Sequence, residues 1–376
     1  MLKIAVPAEA DKVETRVAAT PDTVKRLIGL GAEVVVQAGA GHTSRILDAE
    51  YEAVGAKIVK GAAAVKDADV VLKVRRPAAA ELKGVKAGAL VIAMMDPYGN
   101  EADIKALAEA GVTAISMEFM PRITRAQVMD VLSSQANLAG YQAVIDAAVV
   151  YDRALPMMMT AAGTVPAARV FVMGAGVAGL QAIATARRLG AVVSATDVRP
   201  AAKEQVESLG AKFIAVEDEE FKQAETAGGY AKEMSDAYKQ KQADLVAAHI
   251  AKQDIVITTA LIPGRPAPRL VTRAMVESMR PGSVVVDLAV ERGGNCEMAK
   301  AGEIAVHNDV SIVGYLNVPG RIAATASQLY AKNLFAFLET LIDKEKKELA
   351  VDWEDELVKA TVLTRDGAVV HPAFAG

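Results

Sequence analysis

Three glycines spaced as GxGxxG are the residues of this sequence best suited to chemistry. Gly174, Gly176 and Gly179 follow the apolar run Arg169 to Met173, and Asp197 comes directly after the next apolar run. In a βαβ unit the first glycine permits a tight turn, the second lets the backbone approach a pyrophosphate, and the third lets the helix pack closely on the strand. The start of that helix offers free N–H groups and a positive dipole to phosphates. The pattern therefore predicts a dinucleotide-binding site.

The acidic residue bears on which dinucleotide binds. A carboxylate at Asp197 can accept hydrogen bonds from both ribose hydroxyls of an adenosine and would repel a 2′-phosphate, so NAD(H) is favoured over NADP(H). Arg199 is discordant, because a guanidinium can hold a 2′-phosphate. A structural turn with a solvated Asp197 is the alternative to nucleotide binding. The predicted cofactor-binding residues are Gly174, Ala175, Gly176, Val177, Ala178, Gly179, Asp197, Val198, Arg199, Ala260, Leu261 and Asp287.

Composition narrows the class of protein. A chain of 376 residues is too long for one typical domain. Hydrophobic residues make up 52% and aromatic residues only 4%, as expected for α/β cores built from Ala, Val, Leu and Ile. The net charge of -4 gives no electrostatic case for nucleic acid, and one cysteine excludes an internal disulfide. Because no signal peptide or apolar span of about 18 residues appears, we expect a cytoplasmic chain.

Two series of alternating strand and helix patterns predict two doubly wound, Rossmann-like domains with parallel sheets. The first series has strands at 3–7, 33–37, 68–74, 89–93 and 112–116, with helices at 21–30 and 101–110. The second has strands at 169–173, 192–196, 212–216, 254–259, 283–288 and 310–313. Helices at 132–150 and 329–347 should join the domains, with the cofactor in the cleft between them. We predict that residues 1–132 and 329–376 form the first domain and residues 133–328 the NAD(H)-binding domain.

Two further segments carry expectations. Residues 219–250 are too long for an ordinary crossover, so we predict a lid hinged at Gly228 and Gly229 with Tyr230 at its tip; a helical excursion is the alternative. Asp366-Gly367 predicts a β-hairpin near the C-terminus. Since a lone hairpin is marginal in water, we expect it to be poorly buried on a single chain and to pack on a second subunit of a homodimer.

Four segments resemble a known family: Glu14 to Arg16, Leu72-Lys73, Met120 to Tyr141, and Met157 to Pro166. Together they are similar to the NAD(H)-binding component of proton-translocating nicotinamide nucleotide transhydrogenases, whose fold is shared with alanine dehydrogenase. The resemblance implies hydride transfer between NADH held here and NADP⁺ held by a separate NADP(H)-binding subunit. It also implies coupling to proton movement through a membrane-spanning subunit, which would hold this chain on the cytoplasmic face of the inner membrane.

The resemblance also assigns residues near the reacting ring. It places Arg122, Gln127 and Asp130 in a loop beside the nicotinamide, with Ser133 nearby, and Tyr230 at the tip of a mobile loop that closes over the nucleotide. A surface salt bridge between Arg122 and Asp130 is the alternative. No metal site is predicted.

The rival function within this fold is that of an alanine dehydrogenase-like oxidoreductase. Interconverting amino and keto acids requires a carboxylate anchor and a proton donor, commonly a Lys and a His. Arg16 and Lys73 match that family, and their role here is open. The stretch from Ile92 to Pro97 has no histidine where that family carries its catalytic one, and hydride exchange between two nicotinamides needs no such acid. The missing acid favours transhydrogenase; a non-catalytic NAD-sensing module is a third possibility.

Overall fold

The computed structural model describes residues 1–222, without the side chain of Lys222, and residues 234–375. The chain divides into two compact units. Unit 1 comprises Met1–Gln135 and Pro319–Gly376, and unit 2 comprises Ala136–Val318.

Unit 1 is built on a six-stranded parallel sheet. Its strands are β1 (Lys3–Val6), β2 (Glu33–Gln37), β3 (Lys57–Val59), β4 (Val70–Arg75), β5 (Leu90–Met94) and β6 (Thr113–Ser116), in the order β3-β2-β1-β4-β5-β6. The central strands are runs of buried Val, Ile, Leu and Ala, as expected when both faces of a parallel sheet are covered. Sequence analysis missed β3, which has only three residues and no fully buried one.

Four helices follow the strands in the first half of the chain: α1 (Pro21–Gly29), α2 (Asp48–Ala53), α3 (Glu101–Glu109) and α4 (Val131–Val150). Helix α1 begins with Thr20 as N-cap and Pro21 in its first turn, both good helix-start signals. Helix α4 includes the unit boundary and begins one residue before the predicted position.

Unit 2 contains a seven-stranded sheet in the order β11-β10-β9-β12-β13-β15-β14. Its strands are β9 (Arg169–Met173), β10 (Val192–Thr196), β11 (Lys212–Phe213), β12 (Ile255–Thr258), β13 (Val284–Asp287), β14 (Ile304–His307) and β15 (Val310–Val313). All pairings are parallel except that of β14 with β15. Before the sheet comes an exposed hairpin of β7 (Met158–Thr160) and β8 (Gly163–Val165). The prediction of two doubly wound, Rossmann-like domains with parallel sheets is confirmed.

The helices of unit 2 are α5 (Val177–Arg188), α6 (Ala202–Ser208), α7 (Glu219–Lys222), α8 (Asp236–Ile250) and α9 (Arg273–Glu277). Helix α8 occupies much of the segment predicted as a long lid, and Ser235 caps it by accepting a hydrogen bond from the Tyr238 N–H. The proposed hinge glycines and Tyr230 lie outside the described residues.

The C-terminal segment returns to unit 1. It contains α10 (Ala323–Thr340), a hairpin of β16 (Ile342–Asp343) and β17 (Glu348–Leu349), α11 (Glu356–Thr361), and a hairpin of β18 (Thr364–Arg365) and β19 (Ala368–Val369). Helix α10 starts six residues before the predicted 329 and stops before 347, where the first hairpin turns through Lys347 at a positive φ of 56°.

The last hairpin forms at Asp366-Gly367 as predicted, with positive φ at both residues. The expectation that it would be poorly buried on one chain is wrong. Leu363 and Thr364 are fully buried, and the Thr364 hydroxyl donates to the Val112 carbonyl at 2.8 Å. This segment packs on the edge of its own sheet, with the Leu363 N–H bonded to the Ala114 carbonyl. Within the described stretches of the chain, no helix is both long and apolar enough to span a membrane.

Candidate functional site

The glycine turn joins β9 to α5 and has the geometry expected of a pyrophosphate site. Gly174 has φ of 105°, and a Cβ there would lie 2.5 Å from the Thr259 hydroxyl oxygen. A Cβ on Gly179 would lie 1.8 Å from the Gly174 carbonyl oxygen, so strand and helix are in direct backbone contact. A Cβ on Gly176 would meet nothing within 4 Å. Packing requires the first and third glycines, whereas Gly176 leaves open space in front of the helix N-terminus. The residues therefore fit a bound dinucleotide phosphate.

The strand order places this turn where the sheet changes direction. Strand β9 lies between β10 and β12, so the chain leaves its carboxyl end toward opposite sides. Ligands of open α/β sheets bind at such a switch point. The predicted residues after β9, β10, β12 and β13 share this carboxyl edge. Three apolar side chains there are more than one-third exposed: Val177, Val198 and Leu261.

Asp197 stands at the end of β10 with its carboxylate fully engaged. Its Oδ2 accepts the Ala175 N–H at 2.7 Å, which ties the acid to the glycine turn. Arg199 donates to Oδ1 from its backbone N–H and its Nε, both at 2.9 Å, and to Oδ2 from its guanidinium at 3.0 Å. A carboxylate has about four acceptor positions. Ribose hydroxyls can therefore bond to Asp197 only if Arg199 yields some of them, so Arg199 bears directly on nucleotide choice.

Sequence analysis missed Asn295, which fixes the loop that follows β12. Its buried amide accepts the Ala260 N–H at 3.0 Å and donates to the carbonyl oxygens of Ala260 and Pro268 at 2.9 and 2.8 Å. This one side chain holds both ends of the loop that presents Leu261. Its sequence context, between two glycines and the single cysteine, gave no signal of that role.

Asp287 ends β13 but faces its own loop. Its Oδ1 accepts the Ala289 N–H and its Oδ2 the Cys296 N–H, each at 2.8 Å. Burial raises the pKa of Asp287, and these backbone hydrogen bonds oppose that rise. The carboxylate orders residues 287–296, and direct contact with a cofactor stays a prediction.

Gly140 is a second residue that sequence analysis missed. A Cβ on this α4 residue would lie 2.0 Å from the Ala178 carbonyl oxygen, so α4 and the first turn of α5 are in backbone contact. An isolated glycine within a helical pattern is a signal of such packing. Gly140 thus holds the nucleotide-binding end of α5 in place.

The loop predicted to hold the catalytic residues is well ordered by its surroundings. Residues Thr124–Met129 form one short 3₁₀ helix whose Ala126 and Met129 are buried in the core of unit 1. The Asn333 amide donates to the Val128 carbonyl at 2.8 Å. Arg125 forms a bidentate pair with Asp355, at 2.7 and 2.9 Å.

The structure brings Asp130 and Ser133 together. The carboxylate of Asp130 caps α4, accepting the Ser133 N–H at 2.8 Å and the Ser133 hydroxyl at 2.5 Å. Arg122 and Gln127 are exposed. Among the residues that the structure describes, Arg122 forms no ion pair, so the alternative salt bridge with Asp130 is absent there.

Arg16 and Lys73 are both buried and both matched by carboxylates of unit 1. Arg16 forms a bidentate pair with Glu14, with both distances 2.7 Å. Lys73 lies 2.7 Å from Glu81 and 3.8 Å from Glu9. Burial raises the pKa of Glu9 to about 7, with Lys73 acting against that rise. Structural ion pairing, which sequence analysis left open, is what these contacts show.

No histidine occupies the loop after β5. Asp96 stands there, at φ of 45°, and its N–H donates to the buried Glu118 carboxylate at 2.6 Å. The histidines with described contacts are engaged elsewhere. His249 bonds to Ser194, His307 to Glu277, and His371 stacks on Phe119. Across residues 1–222 and 234–375 no cluster of His, Cys, Asp and Glu is arranged to hold a metal ion.

Comparison with known proteins decides the family. The model of the alanine dehydrogenase/PNT N-terminal domain matches residues 5–139, and that of the C-terminal domain matches residues 143–372. The chain belongs to the alanine dehydrogenase/PNT family. The resemblance found in the sequence is thereby confirmed.

Within this family the chain is more similar to proteins named as transhydrogenase components than to alanine dehydrogenases. It is 57% identical to an NAD(P) transhydrogenase alpha subunit of Rhodospirillum rubrum, covering 100% of this chain and 99% of that protein. A solved transhydrogenase structure from Sinorhizobium meliloti has 68% identity and a TM-score of 0.90, covering 98% of this chain and 100% of that one. Identity to alanine dehydrogenase of Halomonas elongata is 31%, over 100% of this chain and 96% of that protein.

Proposed function

We propose that this chain is the NAD(H)-binding component of a proton-translocating NAD(P)⁺ transhydrogenase. It holds NADH while a partner subunit holds NADP⁺, and hydride passes directly between the two nicotinamides. A membrane-spanning partner subunit couples the transfer to proton movement and keeps this chain at the cytoplasmic face of the membrane. The observation that carries the proposal is the match to a transhydrogenase subunit across the chain at 57% identity, against 31% for alanine dehydrogenase.

The glycine turn supports nucleotide binding. Gly176 leaves room for a pyrophosphate at the start of α5, and Asp197 is placed to meet the adenosine ribose once Arg199 releases acceptor positions. NADH, when bound, supplies the hydride; the chain itself binds and orients the nucleotide.

The unit 1 loop supports hydride transfer. Its backbone is fixed by Asn333 and by the Arg125–Asp355 pair, yet Arg122 and Gln127 remain exposed. A rigid backbone with exposed polar side chains suits the positioning of a reacting ring against a partner, because a misplacement of about 1 Å can cost on the order of 100-fold in rate. Asp130 and Ser133 act by ordering the start of α4, and Tyr230 is assigned by the resemblance alone.

The loop after β5 supports transhydrogenase over the alanine dehydrogenase alternative. Asp96 gives no imidazole, and the other two groups of that chemistry are engaged as well, because Arg16 and Lys73 are matched by Glu14 and Glu81. Transfer between two nicotinamides changes no N–H or O–H bond at the reacting carbon, so it requires neither a proton donor nor a carboxylate anchor.

Reconstitution tests the proposal. The chain is mixed with a purified NADP(H)-binding partner, and reduction of an NADP⁺ analogue by NADH is followed by stopped flow. We expect Arg122→Ala and Gln127→Asn to slow transfer at least tenfold with little change in NADH affinity. Arg26→Ala, at an exposed arginine of α1 in the same unit, is the matched control.

Two results would contradict the proposal. Oxidation of NADH by pyruvate and ammonia without any partner would assign the chain as an amino-acid dehydrogenase. NADH binding with no transfer beside an active partner would leave a nucleotide-sensing module. A homodimer belongs to the same proposal, and light scattering checks it.

A further inference from the structure

The amino-terminal edge of the unit 2 sheet carries a cavity far along the strands from the glycine turn. Its volume is about 510 Å³, which is in the range of small-molecule sites. It lies where β9 and β12 begin, whereas the glycine turn follows the end of β9. The lining residues are Tyr151, Arg153, Ala154, Val165, Pro166, Ala167, Arg169, Ala251, Lys252, Asp254 and Arg280.

Positive charge dominates this lining. Four of the residues are cations, namely Arg153, Arg169, Lys252 and Arg280, and Asp254 is the one acid among them. The Asp254 carboxylate is already engaged, because it accepts the Arg169 N–H at 2.8 Å and the Arg280 guanidinium at 2.7 Å. Among the described residues, the side chains of Arg169 and Lys252 form no ion pair.

Helix ends explain only some of this charge. Helices α4 and α8 end at Val150 and Ile250, and the partial negative charge of a helix C-terminus attracts nearby cations such as Arg153 and Lys252. Arg169 is different, because it is the first residue of a strand. The pKa of the neighbouring His249 is lowered by burial and, in addition, by Lys212, Lys252 and Arg169, so the positive field extends along this edge.

Two of the cations are held in place around a tyrosine. The Arg153 guanidinium lies 5.9 Å from the centre of the Tyr151 ring and donates to the Pro281 carbonyl at 3.3 Å. Burial raises the pKa of Tyr151, as does Asp254, while Arg153 and Arg280 oppose the rise. The buried tyrosine is therefore close to both guanidinium groups, and a ligand that meets them meets few mobile groups.

We propose that this cavity binds a small phosphorylated molecule. The guanidinium groups of Arg153 and Arg169 and the ammonium group of Lys252 bind the phosphate, since Arg and Lys are the side chains that recognise phosphate by charge-assisted hydrogen bonds. The apolar wall of Val165 and Ala167 contacts the organic moiety of the ligand. A small molecule is favoured over an acidic protein segment because the cations surround a cavity of limited volume.

Calorimetric titration of the whole chain with inorganic pyrophosphate tests the proposal. Saturating NADH is present to occupy the glycine turn, and the ionic strength is low. We expect one pyrophosphate to bind per chain, and Arg169→Gln and Lys252→Gln each to weaken binding at least fivefold. Both side chains are exposed, and the Arg169 N–H that bonds to Asp254 is retained in the variant.

The matched control is Arg273→Gln, which removes the same charge from the start of α9, outside the cavity. It should leave the affinity unchanged. An equal loss in this variant would show a general charge effect and overturn the proposal, as would the absence of binding up to millimolar pyrophosphate. Binding of a poly-glutamate peptide in place of pyrophosphate would overturn it in favour of a protein partner.

Discussion

Replacing each of two glycines by alanine separates nucleotide binding from folding. In Gly179→Ala the new Cβ would lie 1.8 Å from the Gly174 carbonyl oxygen, whereas an ordinary contact is at least 3.4 Å. Helix α5 must therefore move away from β9 by more than 1 Å. Overpacking of this kind costs about 1–3 kcal/mol, and here the obstacle is backbone, which cannot rotate away.

In Gly176→Ala the same methyl group meets nothing within 4 Å, and the residue has an ordinary φ of -76°. Its stability should stay within about 0.5 kcal/mol of wild type. The methyl group nonetheless occupies the space through which a pyrophosphate would approach the α5 N-terminus. We expect the affinity for NADH to fall at least tenfold, which corresponds to about 1.4 kcal/mol.

Thermal unfolding and fluorescence titration with NADH together give the result. Gly179→Ala should lower both the melting temperature, by roughly 2–12 °C at about 2–4 °C per kcal/mol, and the affinity. Gly176→Ala should lower only the affinity. If Gly176→Ala binds NADH as wild type does, the open space at Gly176 is not where the nucleotide lies and the site assignment is wrong.

Contacts at three other residues give predictions of their own. Because burial holds the pKa of Glu9 at about 7 instead of 4.5, the folded protein binds the proton more tightly than the unfolded chain, and this stabilisation is lost as the pH rises from about 4.5 through 7. Glu9→Gln should therefore gain stability over wild type between pH 5 and pH 8, by roughly 3 kcal/mol at most, and urea unfolding that shows a pH-independent difference would contradict it. Arg199→Gln frees acceptor positions on Asp197 and should tighten NADH binding several-fold but not NADPH binding; equal changes in both titrations would refute a role in nucleotide choice. Asn295→Ala leaves the polar groups of the Ala260 peptide without their side-chain partner, so unfolding by urea should show a loss of about 1–3 kcal/mol, and an unchanged midpoint would argue against the clamp.

Much of the fold could be predicted because its signals are local. The strands at 169–173 and 192–196 have the predicted bounds, since unbroken runs of Val, Ala and Phe in a parallel sheet are flanked by turn residues. The hairpin at Asp366-Gly367 follows from residues that tolerate positive φ. Its placement did not follow, because burial of Thr364 depends on a partner about 250 residues earlier in the chain.

The same distinction applies to the site. The glycine spacing predicts the turn because each glycine has a local steric reason. Asn295 could not be found in this way, as its partners at Ala260 and Pro268 are 35 and 27 positions away. The engagement of Asp197 by Arg199 was within reach of sequence analysis, because the two residues are neighbours, but a bidentate contact requires side-chain geometry that spacing alone does not give.

The two units show why the strand order by itself does not assign the nucleotide. In both sheets the central strand pairs with an earlier and a later strand, so each has a switch point of the same kind. In unit 1, however, β1 is followed by Pro7, Ala8 and Glu9 in place of glycines. The Glu9 carboxylate accepts the Val74 N–H of β4 at 2.7 Å and so spans the position where a phosphate would lie. One switch point is filled by the chain's own carboxylate and the other is kept open by Gly176, and it is these residues, more than the fold they share, that place the dinucleotide in unit 2.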